Sequence, residues 1–161
     1  MAWERIGYEV LGSASASISI SVPTPYDFYR VTAYFANDAN TKDVYLRFNG
    51  DSGANYTSQA INANSTSIAG ARASGAAQVN LMALGTMGAS ENGGTSIIVA
   101  KPAAGVKGQA VGVTGQNAAP ILELTGAEWN NTTDEITAVS IVASSNNFDT
   151  GSSFLLEGLS F

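Results

Sequence analysis

No cysteine and no histidine occur among the 161 residues. Without a thiol there is no disulfide, no thiolate nucleophile and no sulfur ligand for a metal. Without an imidazole the chain also lacks the side chain most used for proton transfer near neutral pH, which is the commonest ligand of zinc and copper. Thiol redox chemistry and most hydrolytic mechanisms are excluded. The expectation is a chain that is not an enzyme and that carries no cofactor and no metal.

Charge is scarce too. Asp, Glu, Lys and Arg make up 12% of the chain, about half the usual share. Thirteen acids against 7 bases give a formal charge of −6, and Lys42, Arg47, Arg72, Lys101 and Lys107 are scattered among neutral residues. Neutralising phosphates demands clustered cations, so nucleic acid is not an expected partner. No apolar run approaches the roughly 20 residues of a membrane-spanning helix. The start, Met1-Ala-Trp-Glu-Arg, lacks a basic segment followed by an apolar one, so neither a membrane nor an export signal is expected. Such a chain is consistent with a product made in the cytoplasm and released by lysis. Its length suits a single domain, residues 1–161, with one core.

Helical periodicity is missing as well, since Gly, Ser, Thr and Asn interrupt every candidate stretch. What remains is strand signal. Arg5 to Leu11 sets Ile6, Tyr8 and Val10 on one face. Ala14 to Val22 alternates strictly, with Ala14, Ala16, Ile18, Ile20 and Val22 on one side and serines on the other. Pro23 and Pro25 end that run, and Phe28 to Phe35 follows, rich in aromatic and β-branched residues. After a polar loop (Asn37 to Thr41), Asp43 to Phe48 reads as a strand and Asn49-Gly-Asp-Ser-Gly-Ala-Asn as a tight corner. From Tyr56 to Gly75 small polar residues predict a long loop, with at most one short strand around Ile61 or Ile68. Further strands are predicted at Ala77 to Leu84, Thr95 to Lys101, Gly108 to Val113, Pro120 to Leu124, Glu135 to Ala143 and Ser153 to Leu159. Short strands without helical crossovers predict an antiparallel jelly-roll-like β-sandwich of about eight or nine strands, with a lipocalin-like barrel as the alternative.

Each cluster with chemical potential has a plainer reading beside it. Glu128 and Trp129 before Asn130-Asn-Thr-Thr-Asp-Glu have the make-up of a sugar platform, yet a tryptophan just before a turn more often plugs the end of a core. Asp38, Asn40 and Asp43 offer oxygen ligands at short spacing but lack the pattern of a calcium loop and read as an Asx-type turn. The carboxylate pairs Glu123 with Glu128 and Asp134 with Glu135 could in principle run histidine-free glycoside hydrolysis, but nothing raises either above background. Neighbours such as Asp134 and Glu135 point to opposite faces of a strand. The acceptor patterns at Asn55, Asn64 and Asn130 read as turn composition. The glycines at 105, 108, 112 and 115 have no following helix and no closing Lys-Ser or Lys-Thr, so they serve turns and bulges.

Four segments together resemble tailed-bacteriophage virion proteins, small jelly-roll domains that decorate or cement the head or sit in its fibres. They are Phe28-Tyr-Arg-Val-Thr-Ala-Tyr, Leu46-Arg-Phe-Asn-Gly-Asp-Ser-Gly-Ala-Asn-Tyr, Trp129-Asn-Asn-Thr-Thr-Asp-Glu-Ile-Thr-Ala-Val-Ser-Ile and Phe148-Asp-Thr-Gly-Ser-Ser-Phe-Leu-Leu-Glu-Gly. The Arg-Phe-Asn-Gly-Asp block is the most particular of them. The resemblance implies a noncatalytic capsid decoration or cement protein on the outside of the head. Its partners would be the major capsid protein and copies of itself, a trimer being favoured over a dimer. It transfers no active site. The alternative is a carbohydrate- or receptor-binding domain of a fibre, which would have to expose Trp3, Tyr8, Tyr26 and Trp129. The alternating N-terminal strand and the segment from Tyr56 to Gly75 are the expected contact regions.

Overall fold

Strands need only period-two alternation and a neighbouring strand, and the described residues supply both without a helix. The computed structural model describes residues 2–37, 43–64, 66–81, 91–101, 104–117 and 121–161. In chain order the strands are β1 (Glu4–Val10), β2 (Ser17–Ser21), β3 (Phe28–Ala36), β4 (Val44–Phe48), β5 (Tyr56–Asn64), β6 (Ser67–Ala76), β7 (Val79–Asn80), β8 (Asn92–Ala100), β9 (Gly108–Gln116), β10 (Ile121–Trp129), β11 (Ala138–Ala143) and β12 (Ser153–Leu159). They form an eight-stranded sheet, β1-β12-β3-β8-β9-β10-β5-β6, and a four-stranded sheet, β2-β11-β4-β7. Every pairing is antiparallel.

Two hairpins, β5–β6 and β9–β10, are additions to a simpler plan. With them set aside and the other eight strands renumbered in order, the sheets read one-eight-three-six and two-seven-four-five. That is the paired Greek-key order of a jelly roll, so the predicted sandwich is what forms and the closed barrel is not. The core lies between the four-stranded sheet and the β1-β12-β3-β8 half of the larger one. Ile18, Ile20, Val44, Leu46, Phe48, Val139 and Ile141 meet Tyr29, Val31, Phe35, Ile97, Val99, Phe154 and Leu156, all buried. The added strands carry the large sheet past its partner as a wing.

Several boundaries differ from those the sequence predicts, each for a physical reason. The segment from Tyr56 to Gly75 is not a loop: it is the body of the β5–β6 hairpin, paired from Tyr56↔Ala76 to Asn64↔Ser67. Its inward positions are Tyr56, Ser58, Ala60 and Asn62, mostly too small or polar to register as hydrophobic alternation. In β1 a bulge between Arg5 and Gly7 shifts the register. Ile6 therefore packs on the core while Tyr8 and Val10 are exposed, and the three do not share a face. Ile18, Ile20 and Val22 are buried as expected. Ala14 and Ala16 are exposed instead, because the chain there makes an isolated bridge from Ser15 to Phe148 before β2 begins. The Ala77 to Leu84 strand shrinks to the two residues of β7, its last three positions lying outside the described residues, and β11 starts at Ala138 rather than Glu135.

Candidate functional site

The aromatic cluster at one end of the sandwich is the first place to look for a ligand platform. Trp129 is 1% exposed and its ring packs 5.4 Å from Phe48, which stacks at 6.3 Å on Tyr56. The buried Lys101 lies over the indole at 5.5 Å and donates to the Val106 carbonyl at 2.7 Å. Trp129 Nε1 donates to Asp51 Oδ2 at 2.8 Å. This is a plug, as the sequence suggests, and no sugar ring can reach it.

The Asn49–Asn55 corner is built to hold that plug. Asn49 and Gly50 both take positive φ, 54° and 66°, a conformation to which Asn and Gly are suited. Asn49 Oδ1 accepts from the Thr137 and Ala138 amides at 2.7 and 3.1 Å, tying the corner to β11. Asp51 accepts from the Gly53 amide and from Asn55 as well as from Trp129. Burial pushes the Asp51 carboxyl up, but the hydrogen bonds from Trp129, Gly53 and Asn55 outweigh it and hold the group below its ordinary range. Burial raises the Tyr56 hydroxyl to about 12. That hydroxyl accepts from the Phe48 amide at 3.0 Å and donates to the Phe48 carbonyl.

The carboxylates of Glu123 and Glu128 are not brought together. Glu123 faces inward and is buried, beside Asn62 at 3.4 Å, whereas Glu128 faces outward and pairs with Lys107 at 3.0 Å. Asp134 sits in an Asx turn with Asn131, whose side-chain oxygen accepts from the Thr133 and Asp134 amides. Of the three candidate calcium ligands, Asp38 and Asn40 lie outside the described residues. Asp43 accepts from the Tyr45 hydroxyl at 3.0 Å. Among the described residues no cluster of three or more acids is arranged to hold a metal.

The distinctive feature is the outer face of the wing. Register places Ile98, Val111, Gly126, Gln59 and Arg72 in one row from β8 to β6, and Ser96, Val113, Leu124, Ile61 and Gly70 in the next. A third row runs Gly94, Gly115, Leu122, Ala63, Ile68. Six aliphatic side chains are thus neighbours and remain wet: Val111 is 65% exposed, Ile68 79%, and Ile61, Val113, Leu122 and Leu124 between 43% and 52%. Gly126 has no heavy atom near the position a Cβ would take, and two adjoining depressions of ≈ 440 and ≈ 340 Å³ meet over it. The only charges on these strands' outer face, Arg72 and Glu128, stand at its margin.

No family model, curated protein or solved structure matches this chain. The assignment of the face therefore rests on its own chemistry. Ile61 and Ile68 fall within the Tyr56 to Gly75 segment expected to make contacts, whereas Val111, Val113, Leu122 and Leu124 are not singled out by sequence reading. The signal present was doubled: Ile121-Leu122 places apolar side chains on both sides of β10, the mark of a strand with something to cover on each face. On the wing's inner face the layer is polar instead. Thr95 and Thr114 share a hydrogen bond at 2.8 Å, and Ser58, Asn62, Glu123 and Thr125 are buried around it.

Proposed function

We propose that this chain is a noncatalytic virion subunit, a decoration or cement protein that docks on the outer surface of a bacteriophage head and stabilises it. The observation that carries the reading is the contiguous, nearly uncharged aliphatic face of β9, β10, β5 and β6. Soluble monomers rarely leave such a surface bare unless a partner covers it. With so few charges on it, covering it costs little desolvation. That Glu123 and Glu128 face opposite sides of the sheet favours a binding role over hydrolysis. The four segments that resemble phage head proteins supply the identity of the partner, a shell lattice of repeated subunits. Two of those segments build the Asn49–Asn55 corner and the plug it holds, which fits a domain selected for stiffness.

A second reading, a glycan-binding domain of a fibre, has one observation in its favour. Tyr34 is 46% exposed above a depression of ≈ 500 Å³ floored by Gly94 and Gly115 and edged by Asn92 and Asn117. Against it, Trp129 is a plug, Trp3 is half-buried under the Arg30 guanidinium at 4.9 Å, and Tyr26 is half-buried over Gly158. Of the four aromatics such a binder needs, Tyr8 alone is freely exposed. Co-sedimentation with heads lacking this subunit separates the two. The cement reading expects binding that saturates at a lattice-defined ratio. A protein that stays in the supernatant and is retarded by host surface polysaccharide overturns it.

A further inference from the structure

Two sheets have four edges, and the chain treats them unequally. The β1 edge carries Glu4, Arg5 and Glu9 within seven residues and is broken by a bulge. The β2 edge is five residues long and is followed by Pro23, and the β7 edge is two residues long. Charge, bulge, proline and brevity are the devices by which natural sheets keep foreign strands from pairing. The β6 edge has almost none of them. It runs for ten residues, Ser-Ile-Ala-Gly-Ala-Arg-Ala-Ser-Gly-Ala, with one charge and no proline. No residue of it is buried, and its only described partner strand is β5. Its one irregularity is near its end, where Gly75 takes φ 64° and drops out of register with β5.

We infer that β6 pairs antiparallel with β6 of a second copy of this chain, about a two-fold axis through Ala71, so that eight strands from each copy join in one sheet. Antiparallel pairing of a strand with itself is isologous: one operation satisfies both open edges and leaves none over. With the axis normal to the sheet, residues facing across it must lie on the same side, which allows centring on a residue but not between two. Centring on Arg72 would set two guanidinium groups opposite each other. Centring on Gly70 would face glycine with glycine. Centring on Ala71 sets Arg72 of each copy over Gly70 of the other and Ile68 opposite Ser74. A large side chain opposite a glycine is the arrangement this sheet already uses, as with Phe35 and Gly93 or Ile97 and Gly112. It also brings the two aliphatic faces side by side, doubling the surface available to a shell.

The inference concerns the free protein and stands or falls without any shell, so its failure and that of the cement reading are separable. The test is sedimentation equilibrium of the purified full chain and of two variants. The wild type is expected as a dimer. Gly70→Lys sets like charges against Arg72 on both sides of the axis and is expected to weaken dimerisation at least about tenfold. Gly70→Glu faces Arg72 and is expected to retain or tighten it. Both variants should fold, because a Cβ at Gly70 meets nothing closer than the Ala60 carbonyl at 3.7 Å, and unchanged circular dichroism checks this. The cysteine-free background adds a register readout. Ala71→Cys faces itself across the axis, at the roughly 4.5 to 5.5 Å between paired Cα atoms that a disulfide spans, and should cross-link on mild oxidation, whereas Ser19→Cys should not. A monomeric or trimeric wild type, a dimer indifferent to Gly70→Lys, or an Ala71→Cys dimer that fails to cross-link overturns the inference.

Discussion

At the scale of single residues, Asp51 and Tyr56 show how a polar corner secures an apolar plug. Removing the Asp51 carboxylate leaves Trp129 Nε1 without its acceptor. Asp51→Ala is expected to cost about 1–3 kcal/mol in denaturant unfolding. Because the folded carboxyl lies below its ordinary value, its contribution is present above the unfolded pKa and is lost as pH falls through the folded one. Asp51→Asn should flatten the acid limb of a melting-temperature profile. Tyr56 has the opposite sign. Its hydroxyl is held protonated, so its contribution is complete below the unfolded pKa of about 10 and is lost as pH rises through about 12. Tyr56→Phe should remove that part of the alkaline limb, and a wild type whose stability is flat from pH 10 upward would refute the assignment. The plug was legible from Trp129 standing before a polar turn. Its partner Asp51 was not, since nothing local joins residues 78 positions apart.

Elements were legible where burial demands large side chains and illegible where it does not. β3, β4 and β12 announce themselves through aromatic and branched residues. β5 and β6 lie in the wing, where most inward positions take Ser, Ala and Asn, and so they read as loop. Spacing between strands in this sheet is maintained by glycines beneath bulky neighbours. A Cβ at Gly112 would sit 2.6 Å from Ile97 Cγ1 and 2.9 Å from the Ser96 carbonyl, whereas one at Gly126 would meet nothing within 4 Å. Gly112→Ala is therefore expected to destabilise by about 1–3 kcal/mol. Gly126→Ala should stay within about 0.5 kcal/mol of wild type. Equal melting temperatures for the two would contradict the packing described.

For the whole molecule, the pattern of the sequence carried the fold class: a chain without helical periodicity, rich in short alternating runs, becomes a jelly roll. What it did not carry is the asymmetry between the sheets. Two added hairpins widen one sheet to eight strands while the other keeps four, and those hairpins supply both most of the aliphatic outer face and the open β6 edge. Neither can be seen in a linear sequence, because each depends on which strands lie side by side. Both follow from register once the strands are placed, and the proposed assembly with other chains rests on them.

The outer face of the wing as docking surface is the central claim, and paired charge insertion tests it most directly. Val111→Lys and Leu124→Lys replace exposed side chains, so their unfolding free energies should stay within about 0.5 kcal/mol of wild type. Ser19→Lys places the same charge on the exposed side of β2, in the alternating N-terminal strand that the sequence also offers as a contact region, so the variants decide between the two faces. With heads lacking the subunit, the account predicts that Ser19→Lys co-sediments as the wild type does while Val111→Lys and Leu124→Lys remain in the supernatant. Folded wing variants that saturate the shell as well as wild type would contradict it.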